Sequence, residues 1–342
     1  MGGDNAPQIV VEGAHLARKK YPQAKFLIYG DEVLIRPLIK RYPGLGDVME
    51  VRHTPDRVTS EDKPAQALRS GRNSSMRLAI DAVAKGEAGC VVSAGNTGAL
   101  MVMAKFSLQV LPGIRRPAIA TFMPTKIPGH GSVMLDLGAN VECDPQNLLE
   151  FAVLGGVFSR EVLKIPEPRI GLLNIGSEAM KGHDGVKAAA EVFSAATHLP
   201  GRYIGFVEGD SMMEGEVDVV VTDGFTGNIA LKTIEGTAHL IGSLVKQAFK
   251  SSLLMKAGLV LCLPGLLLAL PAVLALKKRI DPRYYNGASL MGLKGLCIKS
   301  HGGTDAIGFS NAIGVAADMT LTRFNEKVAE ALSQMGLGSK VA

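Results

Sequence analysis

The chain has 342 residues, with 47% hydrophobic and 20% charged residues, 40 glycines and a formal net charge of +5. That is ordinary globular composition, long enough for one large α/β unit or two domains. A net charge this small does not argue for nucleic acid, and no RNA-binding signature or basic-aromatic interleaving accompanies it.

Short apolar runs alternate with helical patterns along the chain. The N-terminal MGGDNAPQIV lacks a basic-then-apolar signal pattern, which argues against secretion. KFLIYG (Lys25–Gly30) and VMEVRH (Val48–His53) read as strands. Ser74–Glu87 reads as a Ser-capped helix and Ala88–Ala94 as a buried strand. PAIATFM, GSVMLDLG, RIGLLNIG, RYIGFVEG and VDVVVTDG continue the strand series, with helices over Gln146–Leu163, Val186–Thr197 and Thr226–Phe249. GLCIKSHGG adds a late strand, and Ala306–Met335 reads as a closing helix. This alternation predicts a Rossmann-like α/β/α fold with a mostly parallel sheet. No repeat of 20–50 residues interrupts it. Cys90, Cys143, Cys262 and Cys297 form no CxxC or zinc spacing, so they read as reduced core residues of a cytosolic protein, with no metal implied.

One stretch stands apart. AGLVLCLPGLLLALPAVLAL (Ala257–Leu276) carries no charge and is flanked by Lys256 and by Lys277, Lys278 and Arg279. A spanning helix needs ~20 apolar residues. A single crossing, however, would put Gly295–Ala306 on the far side from the rest of the sheet, so the chain must return. Pro264 and Pro271 predict short apolar helices joined by bends. The expectation is a helical insertion over 250–284. It would meet a bilayer surface through Leu266, Leu267, Leu268, Lys277, Lys278 and Arg279, or a second subunit.

Several strands end in a Gly/Asn/Thr turn followed by a helix: Ser93–Gly98, Leu137–Asn140, Asn174–Glu178, Thr222–Asn228 and Ser300–Asp305. In an open parallel sheet such loops gather along one edge, where helix N-termini suit phosphate. Any one of them alone reads first as an ordinary turn or cap; three or more together shift the reading toward an anion site. Lys181, Lys232 and Lys299 lie near these loops and can act as point charges, or can be solvated surface groups. His301 and Asp305 enclose Gly-Gly-Thr at the last loop, where His301 can also serve as a cap or packing residue. A GxxxxGK(S/T) phosphate loop, a GxSxG elbow and a GxGxxG after a strand are all missing.

MGGDNAP (1–7), RNSSM (72–76), SAGNTGALM (93–101), LDLGAN (135–140), LLNIGSE (172–178), DGFTGNIALKTIEG (223–236), YNGASLMG (285–292) and IKSHGGTDA (298–306) together resemble the PlsX family. These are the fatty acyl-ACP:phosphate acyltransferases of bacterial phospholipid synthesis. The resemblance implies one domain over 1–342 of the isocitrate/isopropylmalate dehydrogenase-like, phosphotransacetylase-related fold. It also implies a cytoplasmic homodimer held peripherally at the inner face of the cell membrane, with acyl carrier protein and inorganic phosphate as substrates and no cofactor. The membrane-bound acyl-phosphate:glycerol-3-phosphate acyltransferase is the implied downstream partner. In the family a short strand ending in an aspartate precedes MGGD. The sequence here starts at that methionine, so the Gly2–Asn5 loop is expected to lack its anchor.

The implied reaction needs no strong general base, because phosphate is already an anionic nucleophile, and no strong acid, because a thiol leaves with a pKa near ~8.5. Positioning and oxyanion stabilisation remain. Gly95, Asn96, Thr97 and Gly98, with Asp223, Gly224, Thr226, Gly227 and Asn228, are the expected phosphate or oxyanion contacts. Lys181, Lys232 and Lys299 would supply charge, and His301 a donor to the oxyanion or leaving sulfur. Arg69 and Arg72 would meet the acidic carrier protein or its phosphopantetheine arm. Two other classes stay open. A nicotinamide-dependent decarboxylating dehydrogenase would need clustered aspartates, and Asp136, Asp144 and Asp223 are scattered. A membrane-bound scaffold would not need the polar loops.

Overall fold

The computed structural model describes residues 1–250 and 263–338. The first half runs α1 (Gln8–Arg18), β1 (Phe26–Gly30), α2 (Glu32–Ile39), β2 (Met49–His53), α3 (Pro64–Ser70), α4 (Ser75–Ala84), β3 (Cys90–Ser93), α5 (Thr97–Leu108), β4 (Ala118–Pro124), β5 (Gly131–Leu135) and α6 (Pro145–Glu161). The second half runs β6 (Arg169–Leu173), α7 (Asp184–Ala195), β7 (Arg202–Val207), β8 (Val219–Val221), α8 (Gly224–Lys250), α9 (Leu263–Ile280), a 3-10 turn (Pro282–Tyr285), β9 (Ala288–Met291), β10 (Leu296–Lys299), α10 (Ala306–Leu321) and α11 (Phe324–Gln334). The closing helix expected over Ala306–Met335 is two helices, parted at Arg323, which takes a left-handed φ of 51°. β9 was not anticipated. It is four residues long and bounded by Gly287 and Gly292, both at positive φ, so it shows neither a long apolar run nor a clear alternation.

β1 and β2 pair in parallel as a small sheet, and eight strands form the main sheet in the order β3-β10-β9-β4-β5-β8-β6-β7. Four of the seven neighbouring pairs are parallel, which makes the sheet mostly parallel as expected. The other three, β10–β9, β9–β4 and β4–β5, are antiparallel and adjacent. Three reversals in a row turn the chain direction over. β3, β10 and β4 therefore run one way, and β9, β5, β8, β6 and β7 run the other. The expectation that all the strand-end loops share one edge is corrected by this. The loops after β3 and β10 leave one edge, here the upper, and those after β5, β6 and β8 leave the opposite, lower edge.

Helices cover both faces. On one, α6 is buried along Asn147–Ser159, as a helix apolar on all sides must be. A capping box starts it: the Asp144 carboxylate accepts from the Asn147 N–H at 2.8 Å and the Asn147 side chain accepts from the Asp144 N–H at 3.3 Å. The buried Glu150 carboxylate takes the Arg115 Nε–H at 2.7 Å and backbone N–H at 2.8 Å. On the other face α4 and α5 enclose Ile80, Leu100, Met103 and Met134. The Gly2–Asn5 loop is held from elsewhere in the fold: Gly3 lies against Ala94, and the Asn5 amide donates to the Thr304 carbonyl at 3.3 Å.

α8 lays Ala230, Leu231 and Ile234 against the sheet, and from Gly236 to Ala248 its residues are exposed. The described side chains of α9 from Gly265 to Ile280 are exposed except Arg279, with Leu268 at 86%. The Leu266 side chain and residues 257–262 of the apolar stretch lie outside the described residues. No helix of the described residues is long and apolar enough to cross a membrane.

One carboxylate organises the lower edge. Asp136, directly after β5, is fully buried and accepts from the N–H groups of Ile119 (2.9 Å), Ala139 (3.1 Å) and Asn140 (2.7 Å) and from the Asn140 side chain (2.9 Å). Burial pushes its pKa up, and these donors offset that only in part. Asp136→Ala leaves the donors without an acceptor. It is expected to lower stability by about 3 kcal/mol or more in urea denaturation, whereas an unchanged midpoint would show that the loop is held by other contacts.

Candidate active site

The upper edge is built from two strand-to-helix turns tied together. β3 ends at Ser93, whose hydroxyl accepts from the Gly95 N–H at 3.2 Å and whose carbonyl accepts from the Ser300 N–H at 2.8 Å. Asn96 caps α5 by accepting the Ala99 N–H at 3.0 Å. Its amide donates to the carbonyls of Thr59 and Ser60, both at 3.1 Å, and Asp62, at 2.9 Å. The Asn96 side chain is therefore occupied in bracing the 59–62 loop. The N–H groups of Thr97 and Gly98 carry no hydrogen bond among the described residues, and they sit in the first turn of α5, at its positive end. Gly98 has to be glycine here, because a Cβ would stand 2.6 Å from Pro64.

β10 brings Lys299 and His301 to the same edge. Burial pushes the Lys299 ammonium down to about 8, while the negative charge of Asp4 works to raise it. Its Nζ donates to the Ser300 carbonyl. Asp4 lies against the Gly302–Gly303 turn, where added Cβ atoms would come within 3.6 and 3.5 Å of its carboxylate. His301 is exposed, and its Nδ1 accepts the Gly303 N–H at 3.3 Å, which assigns the ring proton to Nε2. Asn286 clamps this turn, with its amide donating to Ser300 Oγ at 2.7 Å and to the Gly308 carbonyl at 2.8 Å, and its oxygen accepting the His301 N–H at 2.9 Å. Asp305 caps α10 through the Gly308 N–H at 3.0 Å and accepts from Arg283 at 2.8 Å. Burial works to raise the Asp305 carboxyl, but these two partners prevail and hold it below the usual carboxylate range.

The other expected loop group sits on the lower edge. Asp223 caps α8, accepting the Thr226 N–H at 2.8 Å and hydroxyl at 2.9 Å, and the Gly224 N–H donates to the Asn140 carbonyl at 2.8 Å. The Asn228 amide donates to the Leu137 carbonyl at 3.1 Å, and a Cβ on Gly227 would run into the Asp136 carbonyl. Lys232, two turns into α8, is exposed and paired with Glu235 at 2.7 Å. Lys181 is exposed, on a loop whose Gly176 and Lys181 carbonyls accept from the Asn174 amide, both at 3.1 Å. The fold thus joins Gly95–Gly98 to Lys299 and His301, and places Asp223–Asn228 and Lys181 at the far edge. Asp136, Asp144 and Asp223 are three separate braces: a buried acceptor, the cap of α6 that also pairs with Arg115 at 2.6 Å, and the cap of α8.

Arg69, in the last turn of α3, and Arg72, just after it, are exposed with no ion pair among the described residues. At the end of α9, Arg279 donates to the Thr125 carbonyl at 2.7 Å, and Lys278 lies 5.4 Å from the Tyr284 ring. Lys277 is exposed. Asp4, Arg283 and Asn286 were missed as site residues. Asp4 and Asn286 stand inside MGGDNAP and YNGASLMG, but only contacts across the fold disclose what they hold.

A family model described as "Fatty acid synthesis protein" matches residues 1–327. The chain is 59% identical over 335 residues to a phosphate acyltransferase of Rhodospirillum centenum, covering 98% of this chain and 92% of that one. It is 53% identical over 328 residues to a phosphate acyltransferase of Paramagnetospirillum magneticum, covering 96% and 91%. Among solved structures, EutD phosphotransacetylase from Staphylococcus aureus superposes with a TM-score of 0.53 at 15% identity, covering 92% of this chain and 100% of that one. A branched-chain phosphotransacylase from Enterococcus faecalis V583 gives 0.55 at 12% identity, covering 93% and 96%. At such identities the structures share the fold alone. The sequence matches reach further, and by them the chain belongs to the fatty acid synthesis protein family, the PlsX family of phosphate acyltransferases.

Proposed function

We propose that this enzyme transfers a fatty acyl group from the thioester of acyl carrier protein to inorganic phosphate, yielding acyl phosphate for phospholipid synthesis, and that the upper edge of the sheet is where it does so. The family match supports the reaction. The observation that supports the place is a half-buried lysine, paired in register with Ser93 at the end of β3, next to the strand-to-helix turn whose Thr97 and Gly98 N–H groups are unclaimed. Phosphate held between the Lys299 ammonium and that helix end faces the acyl carbonyl. A phosphate oxygen forms the new C–O bond, the carbonyl oxygen takes the negative charge, and collapse breaks the C–S bond. The departing thiolate is then protonated. The Nε2–H of His301 is placed to donate to the oxyanion or to the sulfur. Gly95 and Gly98 let the backbone approach, and Asn96 acts through the loop it braces. Asp4 holds charge on Lys299.

On the lower edge, Asp223, Gly224, Thr226, Gly227 and Asn228 form a second anion-facing loop, and Lys181 and Lys232 are its nearest cations by sequence. Arg69 and Arg72 are the proposed contact for the acidic carrier. The whole of 1–342 acts as one domain of the phosphotransacetylase and isocitrate/isopropylmalate dehydrogenase type, with 250–284 as a protruding helical insertion. Exposed leucines on α9, among them Leu267 and Leu268, support a peripheral hold on the cytoplasmic membrane face or a homodimer contact. Either would place acyl phosphate near the membrane-bound glycerol-3-phosphate acyltransferase that consumes it.

Phosphate-dependent release of thiol from acyl carrier protein is the direct assay, and its absence would overturn the reading. Lys299→Ala is expected to lower kcat/KM roughly 100-fold or more. The Lys299 ammonium is present below its pKa of about 8 and lost above it. The wild-type KM for phosphate should therefore rise about fivefold between pH 8 and 9, and Lys299→Arg should flatten that rise. Leu267→Glu with Leu268→Glu is expected to abolish flotation with anionic vesicles while thiol release in solution persists; a variant that still floats removes the lipid contact.

A further inference from the structure

We propose that the groove between α6 and α10, on the sheet face beneath the 3-10 turn, binds the acyl chain of the substrate; this rests on the acyl transfer proposed above. The cavity there is about 140 Å3. An apolar cavity of about 150 Å3 holds a six-carbon ring, so the groove accepts roughly the first six carbons of a chain. Its walls are mostly apolar, with Phe122 from β4, Phe158 from α6, Val162 and Leu163 just after it, Met291 from β9 and Val315 from α10, and Thr121 and Ser289 are polar among them. Val162, Leu163 and Val315 pack against the main core yet are only half-buried, as is Phe122, and all four line the groove.

Two observations select an acyl tail over other occupants. The first is continuity with the site. Asn286 lines the groove, and the same side chain holds Ser300 Oγ at 2.7 Å and the His301 N–H at 2.9 Å. A chain lying in the groove with its carbonyl end at Asn286 therefore reaches the Ser300–His301 turn at the upper edge. The second is charge. The one charged lining residue, Asp318, is at the opposite end and already accepts from the Tyr21 hydroxyl at 2.8 Å, with Lys20 at 3.6 Å. An apolar ligand thus meets no unpaired charge along the groove.

Val315→Phe fills the middle of the groove. With acyl carrier protein donors of graded length, it should raise KM for long-chain donors on the order of tenfold, the effect of expelling about two methylenes, and leave a four-carbon donor unchanged. Val315→Ala, which enlarges the groove without adding bulk, should move the length preference upward, and it keeps the test open if the phenylalanine variant fails to fold. Unchanged length profiles in folded variants, with wild-type turnover intact, would overturn the groove alone. Variants that instead change the sedimentation coefficient would show that a second subunit covers it, and would also overturn the acyl assignment. No phosphate-dependent turnover by wild type with any donor would sink the reaction itself.

Discussion

The three consecutive antiparallel pairings β10–β9, β9–β4 and β4–β5 decide where everything else can be. Hydrogen-bond direction in a sheet leaves no intermediate choice, because each neighbour runs with or against the last. An odd number of reversals separates β3 and β10 from β5, β8 and β6. Loops of the same composition, each an apolar strand followed by Gly, Asn and Thr, therefore end on opposite edges. The pair after β3 and β10 is laced together through the Ser300 N–H on the Ser93 carbonyl, and the pair after β5 and β8 through the Gly224 N–H on the Asn140 carbonyl.

From that pairing the properties of the upper site follow. Lys299 is at the end of a strand buried on both faces, so its ammonium is partly desolvated and its pKa falls to about 8. Asp4 opposes the shift from a loop that comes from the other end of the chain. Asn286 fixes the backbone around His301 from a third segment. The lower edge is organised differently. There a buried carboxylate, Asp136, collects backbone donors, and the neighbouring side chains Asp223 and Asn228 cap or brace. The same residue types thus take different hydrogen-bond partners at the two edges.

Most of the elements could be read from the chain. Period-2 and continuous apolar runs marked β1–β8 and β10, and helical spacing marked α4, α6, α7 and α8, because those patterns are local. β9 escaped because four residues between two glycines carry too little pattern. The split at Arg323 escaped because a single left-handed residue leaves the apolar period nearly intact on either side. At the site, Gly95–Gly98, Lys299 and His301 were visible as turn chemistry near lysine. Asp4, Arg283 and Asn286 were not, since a carboxylate, a guanidinium and an amide in loops look the same whether they face solvent or another segment.

By itself the sequence determined the alternation of strands and helices, the family and hence the class of reaction, and the unusual apolar run near Leu268. These rest on local periodicity and on residues matched in order. Only the tertiary structure decided which loops share an edge, that the Asn96 amide braces the 59–62 loop, and that Arg279 is tied to the Thr125 carbonyl. It also decided that a groove opens beside Asn286. The reason is that strand direction and side-chain partners depend on contacts between segments far apart in the chain, and no local pattern encodes which segment will arrive.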